Sequence, residues 1–297
     1  MSEAILLTGG SGQLGAALQA LDWPAGFDLV APARAELDLA DPRGVEAWLA
    51  GRHFAAILNA GAYTAVDKAE SEAATAWLVN AATPAALAAR AAALGVPILQ
   101  ISTDYVFDGT KTSPYVESDA VAPLGVYGAS KLGGEIAVRA SGARHVVMRT
   151  SWVVSAHGAN FIKTMLRLAE TRPNLRVVDD QRGAPTAAAD LALTAQTILL
   201  RLIGDAQAPT GVVHMSNAGE TTWRRFAEHI FAVAARHGRT APGVEAITTA
   251  EYPTPARRPL NSRLDLTRLD RDFGLAPRRW EEATEEIVAA LTRQSSS

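Results

Sequence analysis

The chain has 297 residues and a formal net charge of −3 at pH 7, with 48% hydrophobic and 20% charged residues; a chain this long can bury a full core without covalent staples, and general disorder is excluded. The absence of cysteine excludes disulfides, a thiolate nucleophile and Cys-ligated zinc, and the near-balanced charge argues against nucleic acid as a partner. No apolar run is long enough for a membrane span, and MSEAILLTGG has neither the basic n-region nor the cleavage site of a secretory leader, so the cytoplasm is the expected location.

The first half alternates short apolar runs with helical patterns. Ala4–Thr8 reads as a buried strand ending in glycines, and Gly12–Leu21 as a helix. Phe27–Ala31 is a second strand. Asp41-Pro42 reads as an N-cap with proline at the first helical position, ahead of an apolar face at Val45, Trp48 and Leu49. Ala55–Leu58 is a third strand, the Ala-rich Ser71–Leu94 is helical with a break and restart at Thr83-Pro84, and Pro97–Ser102 is a fourth strand. Gly128–Ala140 reads as a helix and His145–Arg149 as a strand. This alternation predicts βαβ units and a doubly wound parallel (Rossmann) sheet over residues 1–150, with ligands beyond the carboxyl ends of the strands.

Past residue 150 the rhythm loosens. Phe161–Ala169 and Ala187–Leu202 read as helices, and Val212–Met215, Thr222–Arg236 and Trp280–Thr292 give a sparser mixture. A smaller C-terminal α/β substrate-binding region over 151–297 is expected, with residues 175–200 as a segment that can return to the first domain, in particular Arg176–Val178 to the first sheet. Gln294–Ser297 reads as a disordered tail.

Gly10-Ser11-Gly12-Gln13-Leu14-Gly15 fits G-x-G-x-x-G, and Thr8 and Gly9 extend it to T-G-x-x-G-x-x-G. Such glycines allow a tight turn, let the backbone approach a pyrophosphate, and let helix and strand pack closely. The position after a strand and before a helix supports dinucleotide binding over an ordinary βα turn. The second strand ends in Ala31-Pro32-Ala33-Arg34, without the acid that grips an NAD ribose. Arg34 can meet a 2′-phosphate, which favours NADP, or stand as a solvated surface arginine. Asp38 and Leu39 can hold an adenine, or Asp38 can cap a turn.

Tyr127 and Lys131 stand at i and i+4 of a predicted helix, on one face. A phenol titrates near pH 10, and a neighbouring ammonium is expected to lower that value and so sustain proton exchange with a carbonyl or alcohol oxygen while hydride moves. Lys131 can also reach ribose hydroxyls. With only five tyrosines and four lysines in the chain, the spacing favours this reading over a helix that bears a surface lysine and a half-buried tyrosine. Thr103, after the fourth strand, can orient the reacting oxygen or serve as a plain strand threonine.

These motifs resemble the extended short-chain dehydrogenase/reductase family, and within it the branch that reduces dTDP-4-dehydro-L-rhamnose. The likeness runs over nearly the whole chain. It is carried by Gly12–Gly15, Leu37–Leu39, Asn59–Glu70 and Ser102–Gly109, then by Tyr127–Lys131, Arg149–Val153, Gly183–Thr186 and Arg258–Ser262. The A-Y-T-A-V-D-K-A-E and S-T-D-Y-V-F stretches are more specific than the glycine turn. The resemblance implies NADPH-preferring reduction to dTDP-L-rhamnose, the last step of its synthesis for surface polysaccharide, with NADH as an alternative donor. It implies Thr103, Tyr127 and Lys131 as the catalytic set. Gly9, Gly12, Gln13, Leu14, Arg34, Asp38, Leu39, Ala60, Ala62, Tyr63 and Thr64, with Tyr127 and Lys131, would line the cofactor. Thr103, Asp104 and Trp152 would contact the nucleotide sugar, although Trp152 also fits a buried core position. Ala33 departs from relatives that carry an acid there.

Three loose ends remain. Arg257-Arg258 can grip a diphosphate or form a solvated turn, and Arg258 is taken with the substrate set. His157 and His214 lack partners at metal-ligand spacing and read as structural; the acids of Glu281–Glu286 read as a helix start complementing its dipole. Some relatives are magnesium-linked homodimers, but nothing local demands Mg2+. The rival readings are another nucleotide-sugar ketoreductase, epimerase or dehydratase, or a non-catalytic NADP-binding regulatory subunit. Dehydratases carry Asp-Glu after the threonine, whereas here Asp104 is followed by Tyr105.

Overall fold

The computed structural model describes residues 3–294. In chain order the first part comprises β1 (Glu3–Thr8), α1 (Gln13–Gln19), β2 (Phe27–Val30), α2 (Pro42–Leu49), β3 (Ala56–Asn59), α3 (Val66–Ala69), α4 (Ala73–Trp77), α5 (Thr83–Leu94), β4 (Ile98–Thr103), α6 (Val126–Ala140) and β5 (His145–Thr150). The second part comprises β6 (Val153–Val154), α7 (Phe161–Ala169), β7 (Asn174–Val178), β8 (Arg182–Gly183), β9 (Thr186–Ala187), α8 (Ala188–Gly204) and β10 (Gly211–His214). It ends with β11 (Thr221–Thr222), α9 (Trp223–Arg236), β12 (Gly243–Ile247), α10 (Thr267–Phe273) and α11 (Trp280–Gln294).

The main sheet has six parallel strands in the order β10-β5-β4-β3-β1-β2. Both of its faces are covered, so its central strands are buried in long runs rather than at alternate positions. Ile5 and Leu7 of β1 face Leu14 and Leu18 of α1 and Leu191, Ile198 and Leu199 of α8. Leu6, between them, faces Val45 and Leu49 of α2, Leu87 of α5 and Val138 of α6. The strand order reverses between β1 and β3, where a doubly wound sheet opens its ligand crevice. A buried ladder of polar side chains crosses the strands just below that point. Thr8 Oγ1 donates to Asn59 Oδ1 at 2.5 Å, and Asn59 Nδ2 to Gln100 Oε1 at 2.6 Å.

A second core joins Ile162 and Met165 of α7, Leu175 and Val177 of β7, Phe226 and Ile230 of α9, and Trp280 and Val288 of α11. The return of Arg176–Val178 to the first sheet does not occur: β7 pairs in parallel with β12 instead. The chain does return within the expected 175–200 segment, through α8 beneath the sheet, and then adds β10 at its edge.

The break and restart expected at Thr83-Pro84 is present: a π turn at Leu78–Ala82 interrupts the helical run, and α5 starts at Thr83 with Pro84 in its first turn, where no N–H is needed. One local expectation is corrected. Asp41 precedes α2 without a side-chain capping bond. Of the expected tail, Gln294 ends α11, and residues 295–297 lie outside the described residues.

Candidate active site

A cleft of about 1230 Å³ lies over the carboxyl ends of β1, β3 and β4 and extends to Trp152. The glycine turn forms one wall. Gly9 has φ +73°, and a Cβ there would lie 2.6 Å from the Gly61 Cα, so the β1 and β3 turns touch through backbone alone. A Cβ on Gly15 would meet the Gly9 carbonyl at 2.1 Å, which holds α1 against the strand. Gly12 starts α1 with no side-chain cap, and a Cβ there would meet only the Gly9 carbonyl, at 3.3 Å. This cradle of backbone, with no side chain projecting into it, fits a dinucleotide pyrophosphate.

The cleft collects nearly the whole expected set. Gly9, Gly12, Gln13, Leu14, Arg34, Asp38, Leu39, Ala60, Ala62, Tyr63, Thr64, Thr103, Asp104, Tyr127, Lys131 and Trp152 all line it. Arg34 is exposed and lies 3.6 Å from Asp38, whose Oδ1 also accepts from the Ala40 N–H and so caps a turn. Arg258 is the exception. It does not line the cleft but donates to Asp67 Oδ2 at 2.8 Å, and Asp67 also accepts from the Ala256 N–H. Arg257 is exposed.

Tyr127 is half-buried in the cleft, its ring edge-on to Tyr105 with centroids 5.4 Å apart. Desolvation pushes its phenol up to about 12, and Asp104 adds to that rise. The Thr103 side chain, hydrogen-bonded beside it, pulls the other way. The expected lowering by Lys131 does not appear. The Lys131 ammonium turns instead to the Ile101 carbonyl, 2.6 Å away, and burial brings it down to about 8. Tyr127 is therefore a neutral phenol at physiological pH, a proton donor rather than a base. Asp104 is buried, and that burial lifts its carboxyl to about 6 against the opposing hydroxyls of Ser262 and Thr103. Its Oδ2 makes no well-formed hydrogen bond among the described residues.

Trp152 has φ +47°, the left-handed region that costs a bulky residue free energy. Its indole stacks on Trp223 at 3.6 Å, and Gly183 leaves room for it, since a Cβ there would lie 2.7 Å from the ring. The strain presents the indole to the cleft rather than to the core.

Sequence reasoning missed Asn80 and the reach of Gln13. Asn80, buried in the π turn, accepts from the Tyr63 N–H and donates to the Tyr63 carbonyl and to Ser130 Oγ on α6. A lone Asn in an Ala-rich helical run was the available signal. Gln13 Oε1 accepts from Ser155 Oγ and Asn160 Nδ2, both at 2.9 Å, which ties the glycine turn to the second lobe. His157 contributes its carbonyl to that turn, accepting from Ser155 Oγ, and His214 is buried edge-on to Phe107. Glu281 and Glu282 open α11 as expected, while Glu281, Glu285 and Glu286 are held by Arg279, Arg236 and Arg278. Among the described residues no group of three or more His, Asp or Glu is arranged to hold a metal ion, and no helix is long and apolar enough to cross a membrane.

The family description "RmlD substrate binding domain" matches residues 3–293. A dTDP-4-dehydrorhamnose reductase of Sinorhizobium fredii is 45% identical over 288 residues, 97% of each chain. The chain belongs to the dTDP-4-dehydrorhamnose reductase family. The crystal structure of a family member from Clostridium acetobutylicum superposes with a TM-score of 0.90 at 35% identity, covering 97% of this chain and 99% of that one. The member from Bacillus anthracis, solved in complex with NADP, gives a TM-score of 0.88 at 34% identity over 98% of this chain and 100% of its own.

Proposed function

We propose that the protein reduces dTDP-4-dehydro-L-rhamnose to dTDP-L-rhamnose with NADPH, the final step in making that activated sugar. The observation that carries this reading is the meeting of Thr103, Tyr127 and Lys131 in the cleft that also holds the glycine turn, in a chain of this family. Residues 3–150 with α8 and β10 act as the cofactor lobe, and the remainder as the substrate lobe.

The glycine turn takes the pyrophosphate, and Arg34, free of any acid at position 33, takes the 2′-phosphate. When bound, the reduced nicotinamide supplies a hydride to the keto carbon. Tyr127 gives its phenolic proton to the keto oxygen as that oxygen becomes a hydroxyl. Thr103 orients the same oxygen, and Lys131 holds ribose hydroxyls and adds positive charge near the developing oxyanion. Trp152 offers its face to the sugar ring, and Asp104 Oδ2 accepts from a sugar hydroxyl. Arg258 is left out of the substrate set because Asp67 engages it. Every group used comes from a single chain.

The test is NADPH oxidation by purified protein across a panel of nucleotide-linked keto sugars. Turnover is expected with dTDP-4-dehydro-L-rhamnose and NADPH, and more slowly with NADH. NADPH binding without turnover would support a regulatory subunit, and preference for another sugar would overturn the substrate assignment. Tyr127→Phe should lower kcat by about 10²–10⁴-fold with NADPH affinity nearly unchanged. Wild-type turnover by that variant would end the proton-donor role.

A further inference from the structure

The wall behind Trp152 belongs to a residue that does not border the cleft. Trp223 opens α9 and stands outside the cleft lining, whereas Trp152 is part of it. Three contacts fix the Trp223 indole. Its Nε1 donates to Gln181 Oε1 at 3.1 Å, and the buried Gln181 donates in turn to Thr249 Oγ1 at 3.0 Å. The Phe161 ring of α7 lies against it, with centroids 4.7 Å apart. Thr222 caps α9 by accepting from the Arg225 N–H at 3.2 Å, which sets the direction in which the helix launches its first side chain.

Trp152 is held differently. Its backbone is tied, since its carbonyl accepts from the Thr186 N–H at 3.1 Å and the next residue, Val153, pairs with Thr186. Its side chain is located by packing. Trp223 lies within 15° of parallel to it, and a Cβ on Gly183 would already overlap its ring. A left-handed φ on so large a residue persists only where the surroundings over-determine it. Without a wall behind it, the indole could take other rotamers and leave the cleft. Core filling alone is a poor account of the pair. Both tryptophans are only half-buried, and an indole that served the core would not need the strained φ that turns it to the cleft.

We propose that Trp223 is a positioning residue for sugar recognition: its ring, anchored through Gln181, holds the Trp152 indole over the cleft. The effect on the sugar rests on the reductase reading; the support of one ring by the other does not.

Michaelis constants for dTDP-4-dehydro-L-rhamnose test it. Trp223→Ala should raise KM by about tenfold, because apparent affinity falls with the fraction of chains that hold the competent pose. The values of kcat and NADPH affinity should stay within about threefold, since Trp223 touches neither the cofactor wall nor the reacting groups. Trp223→Phe keeps a flat wall and should recover most of the loss. In a Trp152→Ala background, Trp223→Ala should change KM by less than about twofold, because a residue that works through Trp152 then has nothing to position. Trp223→Leu, which keeps apolar volume without a flat face, is the second variant should Trp223→Ala fail to fold, and it should raise KM in the same way. Additive effects in the double variant, no rescue by phenylalanine, or a joint loss of sugar affinity, kcat and NADPH affinity in a folded variant each overturns the proposal. The crystal structure of Trp223→Ala or Trp223→Leu separates this proposal from the reductase reading. A displaced Trp152 indole, alongside a native protein that oxidises no NADPH on that sugar, sustains the positioning role and refutes the reductase reading. An indole still in place overturns the positioning role whatever the activity.

Discussion

Asp104 sits where its ordinary acidity is lost. A free carboxyl of this type titrates near 3.8, and burial beside Thr103 raises it to about 6. The folded chain therefore holds this proton more tightly than the unfolded one. The resulting stabilisation is complete below about pH 4 and disappears as pH rises through 6. Asp104→Asn, which imitates the protonated form, should raise unfolding free energy at pH 8 by about 1–3 kcal/mol and make no difference below about pH 4. Urea titrations at the two pH values check this, and equal stabilities at pH 8 would refute the desolvation account. The same variant should bind the sugar nucleotide less well, the usual exchange between stability and activity. At this scale the sequence named Thr103, Tyr127, Lys131 and Trp152, because short motifs specify them. It misjudged the sign of the Tyr127 shift. An i, i+4 spacing says that two side chains share a face, not which neighbour the ammonium chooses, and here the Ile101 carbonyl wins. The pairing of Arg258 was illegible for a related reason, since its partner Asp67 lies far away in sequence.

The glycine turn is the element on which the cofactor wall depends. Gly9→Ala would place a methyl group against Gly61 while forcing a left-handed φ on a residue with a Cβ. It should weaken NADPH binding by at least about tenfold and lower the Tm by several degrees; calorimetry and cofactor titration measure both. Patterning made the βα alternation legible and misled at β7. Asn174–Val178 alternates, with Leu175 and Val177 inward and Asn174 and Arg176 outward. That is the mark of a strand with one buried face, unlike Ala56–Asn59, which is buried throughout. Val212 and Val213, adjacent and both buried, had the character of the main sheet. The break beside Thr83-Pro84 was legible, but the bonds that Asn80 makes from the π turn to Tyr63 were not, because they span elements.

Across the whole molecule, the lobes meet at Gln13. Its amide oxygen serves Ser155 and Asn160, and Asn160 caps α7 by accepting from the Lys163 N–H. Gln13→Ala should speed hydrogen exchange of the Val153–Asn160 backbone by about fivefold in cofactor-free protein, the loss of about 1 kcal/mol of hydrogen bonding. It should also raise KM for the sugar nucleotide. Unchanged exchange there would mean that other contacts hold the lobes together. The lobe plan was legible only in outline. Composition marks where the rhythm changes after residue 150. It allows a return within 175–200, where α8 lies, but does not reveal that β10 joins the sheet's edge, because that depends on which strands find one another in space.

The stack of Trp152 on Trp223, 3.6 Å apart and 15° from parallel, makes two chromophores into one coupled absorber. Such a pair gives a two-signed band in far-ultraviolet circular dichroism that isolated indoles lack. Because one member borders the cleft, a sugar nucleotide settling on it should perturb that band. The native chain thus carries its own optical gauge of substrate occupancy, one that Trp223→Phe should silence.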